Sequence, residues 1–548
     1  MNKKITALVL ALGMSATMLG ATSCGKQTKD EANTIQIYAV NLGYGVEWLE
    51  KAGEAFLQED WVKEKYSGWK VDVDDTVDAG QAVNMISGGE AANPYELIFT
   101  TQPANSVYEK KYLAELSDVL EKTIPGEDIT VKNKMKSTIL QDSQSRMLDG
   151  STKVYGISWV DSTPGIFVNN DYITSAFTGT SYASKYVTNT WEPKLPVTTD
   201  KLVDMLTELV EVTDGEKPIV SCTPVNYWAE MFDIWFAQYE GVETYRNFWW
   251  GQNNDGEQDA QIFSLQGRLR SLETMESIIG YNHGFTRDDN EYNSYLQAQQ
   301  LFVEKNAGAI MVNGDWLHHE MGGKFSSKIT MMKTPVISSI IERDEFENIT
   351  NDDELAFVVE CVDKCDKDAT YGYANAKAEY KEKFNKDLKE SEYDRIFEAR
   401  NVKGRLGGHQ AHIPAHSKNI EAAKDFLLFL ASNKGIEVMM QYTGGISAYK
   451  YDVENENPTL YAGFTDIQKS VLKYSWNAQT IMDYQSSPLN YLGGILRIPN
   501  NTDIERRFMS ASAGNRVSPQ KVFSNIEEYF QSNNAAKFIA ALEIAGLR

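Results

Sequence analysis

Hydrophobic and polar positions alternate near the start of the globular part of the chain, and the period then changes to that of a helix. Thr34–Val40 alternates and is rich in β-branched residues, which predicts a strand. Apolar residues within 46–57 recur three and four positions apart, which predicts an amphipathic helix. Residues 69–77, 82–89 and 95–100 continue as strand, short helix and strand. This order predicts an α/β lobe with a mainly parallel sheet.

The carboxyl ends of these strands are the first places to expect a ligand site. In open α/β sheets, ligands bind in the crevice outside the carboxyl ends of the strands. The first and third predicted strands are followed by residues 41–47 and 100–102. We therefore expect ligand contacts from Tyr44, Glu47, Thr101 and Gln102.

The pattern before residue 34 is that of an exported chain. Lys3 and Lys4 precede an apolar run, 5–20, which is shorter than the roughly 20 residues that span a membrane. Small residues then lead into Cys24, in an arrangement that resembles the bacterial lipobox. The sequence predicts a signal peptide over 1–23 and a lipidated tether over 24–33. The alternative is ordinary signal cleavage that happens to leave a cysteine.

The length of the chain indicates how many lobes it forms, and its charge limits the kinds of partner that it can bind. The chain has 548 residues, more than one core of typical size, so at least two lobes are expected. It carries 53 Lys and Arg against 77 Asp and Glu, a net charge of −24, which disfavours nucleic acid and anionic lipid as partners. It also contains 11 Trp and 28 Tyr, whose flat faces and polar edges suit sugar rings.

Motifs for catalysis or for a metal are not found. The sequence has no Gly-x-Ser-x-Gly elbow, P-loop or His-Glu-x-x-His, so we expect no enzyme activity and no cofactor. His409, His412 and His416 have a spacing that suits one face of a helix, but neighbouring glycines and a proline disfavour a helix there, so we expect no metal site. Cys361 and Cys365 are compatible with a small disulfide loop or with two free thiols.

Several segments, in order along the chain, resemble family 1 extracellular solute-binding proteins, the group that includes maltose-binding protein. The segment 155–171 has a Tyr-Gly-Ile strand, a polar turn and a second strand, and 196–202 has a helix start. The segment 302–316 is a helix–strand–Gly-Asp-Trp unit. A late strand with a Ser-Lys-Asn and Glu-Ala-Ala helix follows at 407–430, and a Gly-Gly-Ile-Ser-Ala turn at 444–448. The resemblance implies a two-lobe periplasmic-binding-protein-like fold (type II), with helices flanking each sheet and a hinge between the lobes.

The same resemblance implies how the chain divides. The chain is expected to cross between the lobes near 157–163, 332–336 and 446–452. The expected units are the N-lobe over 34–157, the C-lobe over 158–333, the N-lobe again over 334–448 with a helical insertion at about 345–402, and the C-lobe with C-terminal helices over 449–548.

The resemblance also adds candidate ligand residues. They lie in the polar turn of the first crossing, at a helix start of the second lobe, at the Gly-Asp-Trp turn and in the late strand: Asp161, Tyr227, Trp228, Asp315, Trp316 and His409. Trp316 is expected to stack on a sugar while Asp315 accepts hydrogen bonds from its hydroxyls. The alternative for Trp316 is a place in the core.

The function that these features indicate is ligand capture for an ABC importer. We expect a monomeric lipoprotein on the outer face of the bacterial membrane, which closes its lobes around a carbohydrate, an oligosaccharide in the favoured case, and delivers it to permease subunits. The alternatives are a binding protein for peptides, polyamines or other small solutes, a surface glycan-degrading enzyme and a structural lipoprotein.

Overall fold

The first described segment forms the strand that its alternation predicts. The computed structural model describes residues 33–90, 93–101, 111–146, 152–188, 193–225, 227–291, 294–325, 327–406, 408–476, 478–481 and 504–531. The strand Thr34–Val40 is followed by the helix Glu47–Phe56 and the strand Lys70–Thr76. The helix Ala79–Ser87 and the strand Leu97–Thr101 then complete the predicted order.

Two sheets organise the molecule. The strands are β1 Thr34–Val40, β2 Lys70–Thr76, β3 Leu97–Thr101, β4 Gln144–Arg146, β5 Thr152–Val154, β6 Ile157–Ser158, β7 Pro164–Asn169, β8 Ile219–Val220, β9 Ile310–Gly314, β10 Ile329–Met332, β11 Val402–Lys403, β12 His409–His412 and β13 Gln479–Thr480. The first sheet has the order β2-β1-β3-β12-β6, and the second has the order β10-β7-β9-β8. The pairs β4–β5 and β11–β13 stand apart from both.

Helices flank both sheets. The α-helices are Glu47–Phe56, Asp60–Lys65, Ala79–Ser87, Ser117–Glu121, Val131–Lys134, Ser137–Asp142, Asn170–Phe177, Ala183–Tyr186, Thr199–Val212, Trp228–Glu240, Val242–Trp250, Gln266–Ile279, Tyr295–Val303, Leu317–Glu320, Asp352–Lys364, Tyr373–Phe384, Glu390–Arg400, Ile420–Leu430, Asn433–Thr443, Val453–Glu456, Pro458–Ala462, Asp466–Trp476, Ile504–Met509 and Pro519–Gln531. Short 3₁₀ turns lie at Thr223–Val225, Ala260–Ser264, Tyr281–His283, Asp288–Glu291, Ser338–Glu342 and Ala513–Asn515. Of the segment 449–548, for which C-terminal helices were expected, the part after 531 lies outside the described residues.

The two-lobe α/β architecture is confirmed, but the sheets are mixed rather than mainly parallel. In the first sheet β1 runs parallel to β2 and β3, whereas β12 runs antiparallel to β3 and β6. In the second sheet β7 runs antiparallel to β9 and β10, and β8 runs parallel to β9. In each sheet one strand runs against the others, β12 in the first and β7 in the second. Each of these two strands directly follows a place where the chain passes between the lobes.

The helical insertion at about 345–402 packs on the second lobe, and its expected assignment to the N-lobe is wrong. Buried residues of its three helices join the core that contains Ile166 and Val168 of β7. Arg395 donates to the carbonyl of Tyr239 at 2.8 Å, and Arg343 pairs with Glu240 at 2.9 Å. The segment therefore extends the second lobe.

The places where the chain passes between the lobes therefore differ in part from those expected. The chain first passes between the lobes at 159–163, between β6 in the first sheet and β7 in the second. The chain does not cross at 332–336, because Val336 still pairs with Thr198 inside the second lobe. It crosses at 402–406 instead, where Leu406 donates to the carbonyl of Ser162 at 3.2 Å.

The last pass begins as expected at 446–448, where Ser447 pairs with Val160. Residues 449–464 then stay on the first lobe, whereas the expectation placed everything after 449 on the second. Lys450 donates to the carbonyl of Lys134 at 2.8 Å. The chain reaches the second lobe with the helix Asp466–Trp476, where Ser470 accepts from the N–H of Met331 at 2.8 Å.

A buried ion cluster joins the crossing segments. The Oδ2 of Asp161, which is 0% exposed, lies 2.9 Å from the Nζ of Lys136 and 2.9 Å from the Nζ of Lys403. Lys403 also donates to the hydroxyl of Thr163 at 3.0 Å. Burial by itself would raise the pKa of Asp161, but the two lysines outweigh burial and hold the pKa below its usual range. Burial lowers the pKa of Lys403 to about 8.

Cys222, Cys361 and Cys365 form no disulfide within the described part of the chain, so the small loop that Cys361 and Cys365 could close is absent. Among the described residues, no cluster of His, Cys, Asp and Glu is suited to a metal ion. Within that same part of the chain, no helix has the length and apolar character that crossing a membrane requires.

Removing the charge of Asp161 should destabilise the fold strongly. Asp161→Asn leaves two lysines without their counter-charge, one of them fully buried, and we expect the free energy of unfolding to fall by about 3–5 kcal/mol. Urea denaturation measures it. The matched control is Asp118→Asn, which breaks a 2.9 Å pair with Lys424 in which Asp118 is 50% exposed, and which should cost at most about 1 kcal/mol. Equal losses in the two variants would contradict the role given to the cluster.

Candidate ligand-binding site between the lobes

The turn after β1 carries an aromatic side chain into the space between the lobes. Tyr44 is flanked by Gly43 and Gly45, which adopt φ values of 63° and 67° that favour glycine. Tyr44 is 1% exposed. Its ring meets three others edge to face, with centroid distances of 5.4 Å to Trp159, 5.9 Å to Trp316 and 5.2 Å to His409.

Three expected site residues, Tyr44, Trp316 and His409, therefore meet with the ring of Tyr44 at the centre. Trp159, which the sequence did not single out, joins them through Tyr44 and His409. Trp159 stacks on Trp48 with a centroid distance of 4.3 Å and lies edge to face with His409 at 5.7 Å. Its position in the first crossing, two residues before Asp161, is the signal that would have found it. We call Tyr44, Trp48, Trp159, Trp316 and His409 the cleft aromatic cluster.

Asp315 lies beneath this cluster and is 2% exposed. The hydroxyl of Tyr44 donates to Asp315 Oδ1, and the N–H of Thr163 donates to the same oxygen at 3.3 Å. Burial raises the pKa of Asp315 to about 6, and burial together with the Asp315 carboxylate raises the pKa of Tyr44. The first lobe, the first crossing and the second lobe thus meet at one carboxylate.

Polar atoms without partners concentrate here. The indole Nε1 of Trp159, Asp161 Oδ1 and Asp315 Oδ2 are buried and have no hydrogen-bond partner within the described part of the chain. A buried polar atom left unpaired costs free energy. One donor and two acceptors are therefore available at the cleft for a ligand that carries both donor and acceptor atoms, as a hydroxyl group does.

A small cavity lies behind the cluster. Its volume is about 10 Å³, and its walls include Trp48, Trp159, His409, Thr100 and Thr101. That volume holds about one water molecule. A sugar ring enters only if the lobes separate or the aromatic side chains move.

The structure places the other expected residues as follows. Thr101 ends β3 and pairs with His409. Glu47 is exposed at the start of its helix. Burial lowers the pKa of His319, and the nearby Glu47 carboxylate only partly offsets this. The ring of Tyr227, which is partly buried, lies 6.2 Å from that of Trp316. Gln102 and Cys24 lie outside the described residues.

Trp228 and Asp161 were both expected to contact a ligand, but in the structure they have other surroundings. Trp228 is 1% exposed and belongs to the core of the second lobe, because it shares the buried stripe of its helix with Phe232 and Trp235. Asp161 directs Oδ2 to the two lysines and leaves only Oδ1 for another partner.

A carboxylate near the end of the described chain supports the second-lobe side of the site. Glu505 is 0% exposed, and it accepts from the hydroxyl of Ser221 at 2.8 Å and from the N–H of Trp228 at 3.2 Å. The helix Trp228–Glu240 has no side-chain cap of its own at Tyr227. Glu505 therefore supplies the missing cap next to Tyr227. Its distance along the chain gives no local sequence signal for this role.

Comparisons with known proteins agree with this architecture. No protein-family model matches the chain, and no curated protein matches it significantly. Solved structures do match. The maltose-bound MalE3 of T. maritima is 14% identical, with a TM-score of 0.55, and the match covers 91% of this chain and 99% of that one.

Two further structures are similar. A family 1 extracellular solute-binding protein from Bifidobacterium longum subsp. infantis is 14% identical over 91% of this chain and 99% of that one, with a TM-score of 0.52. The ABC substrate-binding protein Lmo0181 from Listeria monocytogenes, in complex with cycloalternan, is 14% identical over 92% and 98%, with a TM-score of 0.54. The chain has the two-lobe fold of these solute-binding proteins. In this chain, the cleft aromatic cluster lies between the two lobes of that fold.

The buried Glu505 predicts a pH-dependent loss of stability. Burial raises its pKa from about 4.5 to about 8, so the folded state holds the proton more tightly than the unfolded state. The stabilisation is complete below the unfolded pKa and is lost as pH rises through about 8. Glu505→Gln keeps the size and cannot ionise. Between pH 5 and pH 8 we expect the wild type to lose about 1–4 kcal/mol more unfolding free energy than Glu505→Gln in urea titrations.

The control for this comparison is Glu121→Gln. Glu121 is exposed in a surface pair with Lys132, where its side chain is 63% exposed, so its replacement should leave the pH profile of the wild type unchanged. Parallel pH profiles for the wild type and Glu505→Gln would show that Glu505 does not hold the proton as described.

Proposed function

We propose that this protein is the solute-binding lipoprotein of a bacterial ABC importer and that its ligand is a carbohydrate, an oligosaccharide in the favoured case. The observation that carries the proposal is the cleft aromatic cluster with its unpaired donor and acceptors. Aromatic faces contribute apolar contact area to a sugar ring, and a few fixed polar atoms orient its hydroxyl groups.

The charges at the floor of the cleft favour a neutral solute. Asp161 is paired with both Lys136 and Lys403, and burial raises the pKa of Asp315 to about 6. A second buried pair, Arg405 with Asp142 at 2.7 Å, is balanced in itself. A charged ligand would enter this region without a free counter-charge and would lose its hydration. A neutral polyhydroxyl ligand meets no such penalty.

The structural neighbours support the same class of ligand. MalE3 of T. maritima is maltose-bound, Lmo0181 is in complex with cycloalternan, and the binding protein RafE is in complex with raffinose. These neighbours are binding proteins, and we propose that this chain likewise binds its solute without converting it. Lobe closure about the crossing segments would present the solute to permease subunits, with the protein acting as a monomer.

Binding of carbohydrate is tested by calorimetry against maltotriose, xylotriose, chitotriose and raffinose. At least one sugar should bind, and Trp316→Ala should weaken that binding about tenfold or more, because it removes a buried aromatic contact. The matched control is Trp61→Ala, a tryptophan of the first lobe that packs on Phe56, away from the cleft. Binding of oligopeptides or polyamines in place of every sugar, or release of reducing ends from a sugar, would refute the proposal.

The extracytoplasmic, lipid-anchored location is proposed from residues 1–33. Cys24 would carry the lipid, and 24–33 would act as the tether. In a bacterial expression host, the full chain should enter the membrane fraction and incorporate labelled palmitate, and Cys24→Ser should abolish the label. A Cys222→Ser variant, which alters a buried thiol, should keep it. Equal labelling of both variants would exclude Cys24 as the lipidated residue.

A further inference from the structure

The loop after β1 makes direct contact with the second lobe at several points. The loop comprises residues 41–46, and its partner is the segment 315–320, which contains the helix Leu317–Glu320. Tyr44 donates to Asp315. The N–H of Gly43 faces the Glu320 carboxylate. Burial raises the pKa of Glu320, and the bond from Gly43 offsets part of that rise. We call these contacts the loop latch.

The fit of the loop against the helix is close. A side chain at Gly45 would overlap the His319 ring, and one at Gly43 would lie 3.4 Å from the Cγ of Trp316. On the far side of the Tyr44 ring, a side chain at Gly445 would come within 2.8 Å of its Cε1. Tyr44 thus fills the space between the lobes, held by glycines on both sides.

Glu320 is itself fixed on the second lobe. Its Oε2 accepts from the side-chain amide of Gln299 at 2.6 Å. The loop latch therefore joins a glycine-flanked loop of the first lobe to a carboxylate anchored in the second. Contacts of this kind can form and break as one unit, because the glycines allow the loop to change its backbone angles.

We infer that the loop latch closes the cleft with the protein's own Tyr44, and that a solute binds Asp315 and the other members of the cleft aromatic cluster only by displacing Tyr44. This rests on the proposed function. Tyr44 and a ligand cannot share the space between Trp159, Trp316 and His409. The apparent affinity for any solute is therefore lowered by the fraction of molecules in which the latch is closed.

Displacement also selects the solute. Tyr44 offers the second lobe a flat ring and one hydroxyl donor for Asp315. A solute that replaces it must restore both, since a buried carboxylate left without a donor is costly. A sugar ring has a flat apolar face and hydroxyl donors, whereas an aliphatic solute restores neither. Tyr44 is thus a specificity-determining residue that acts through competition.

The test removes one hydroxyl group. Tyr44→Phe keeps the ring and loses the bond to Asp315, so it weakens the closed latch. Without any added solute, small-angle X-ray scattering should show a larger radius of gyration than for the wild type. The affinity for whichever of maltotriose, xylotriose, chitotriose or raffinose binds the wild type should rise about five- to tenfold.

The matched control is Tyr66→Phe. Tyr66 also donates to a buried aspartate, Asp425, at 2.7 Å, but within the first lobe. The Tyr66→Phe variant should change neither the radius of gyration of the protein nor its affinity for the sugar. Glu320→Ala, which removes a different contact of the latch, should shift the radius of gyration in the same direction as Tyr44→Phe, and circular dichroism confirms that each variant folds.

Two outcomes would overturn the inference. In one, Tyr44→Phe weakens sugar binding, which would make Tyr44 a direct ligand contact. In the other, neither Tyr44→Phe nor Glu320→Ala changes the radius of gyration. Failure of every sugar to bind would refute the proposed function instead, and the scattering result would still decide whether the latch exists.

Discussion

The buried carboxylate of Asp161 is the interaction on which the arrangement of the two lobes depends. It lies where the passes at 159–163 and 402–406 run side by side, and Lys403 and Lys136 reach it from different parts of the chain. A charge without solvent is tolerated only when it is paired with good geometry. These ion pairs therefore join segments that do not share a sheet. Relative motion of the lobes must then take place about the crossing segments 159–163 and 402–406.

Local patterns predicted the elements of the fold because strands and helices are encoded over short stretches. The strand Thr34–Val40 and the helix cap at Thr198, whose side chain accepts from the N–H of Lys201, follow from neighbouring residues alone. Tyr44 was expected near a ligand because it follows the carboxyl end of a strand, whereas Asp315 and Trp316 were expected only from the resemblance to solute-binding proteins.

What the sequence did not predict involves partners far along the chain. An amphipathic helix shows that one face is buried but not against which sheet, so the segment at 345–402 was assigned to the wrong lobe. The aromatic stripe of Trp228 and Trp235 fits a core and a binding wall equally well by pattern, and only packing separates the two. A charged residue such as Lys403 or Glu505 is expected on the surface, and its burial depends on a counterpart that local sequence does not reveal.

The cap that Glu505 provides has a consequence for the order of folding. Glu505 bonds residues that precede it by 284 and 277 positions, so the helix Trp228–Glu240 leaves the ribosome long before its cap exists. Contacts between such distant parts of a chain form slowly, since the intervening segment must first be brought into place. The second lobe therefore cannot complete its core during most of synthesis. Its core includes Ile504, Phe508 and Phe523, so it can close only after this late segment of the chain has been made.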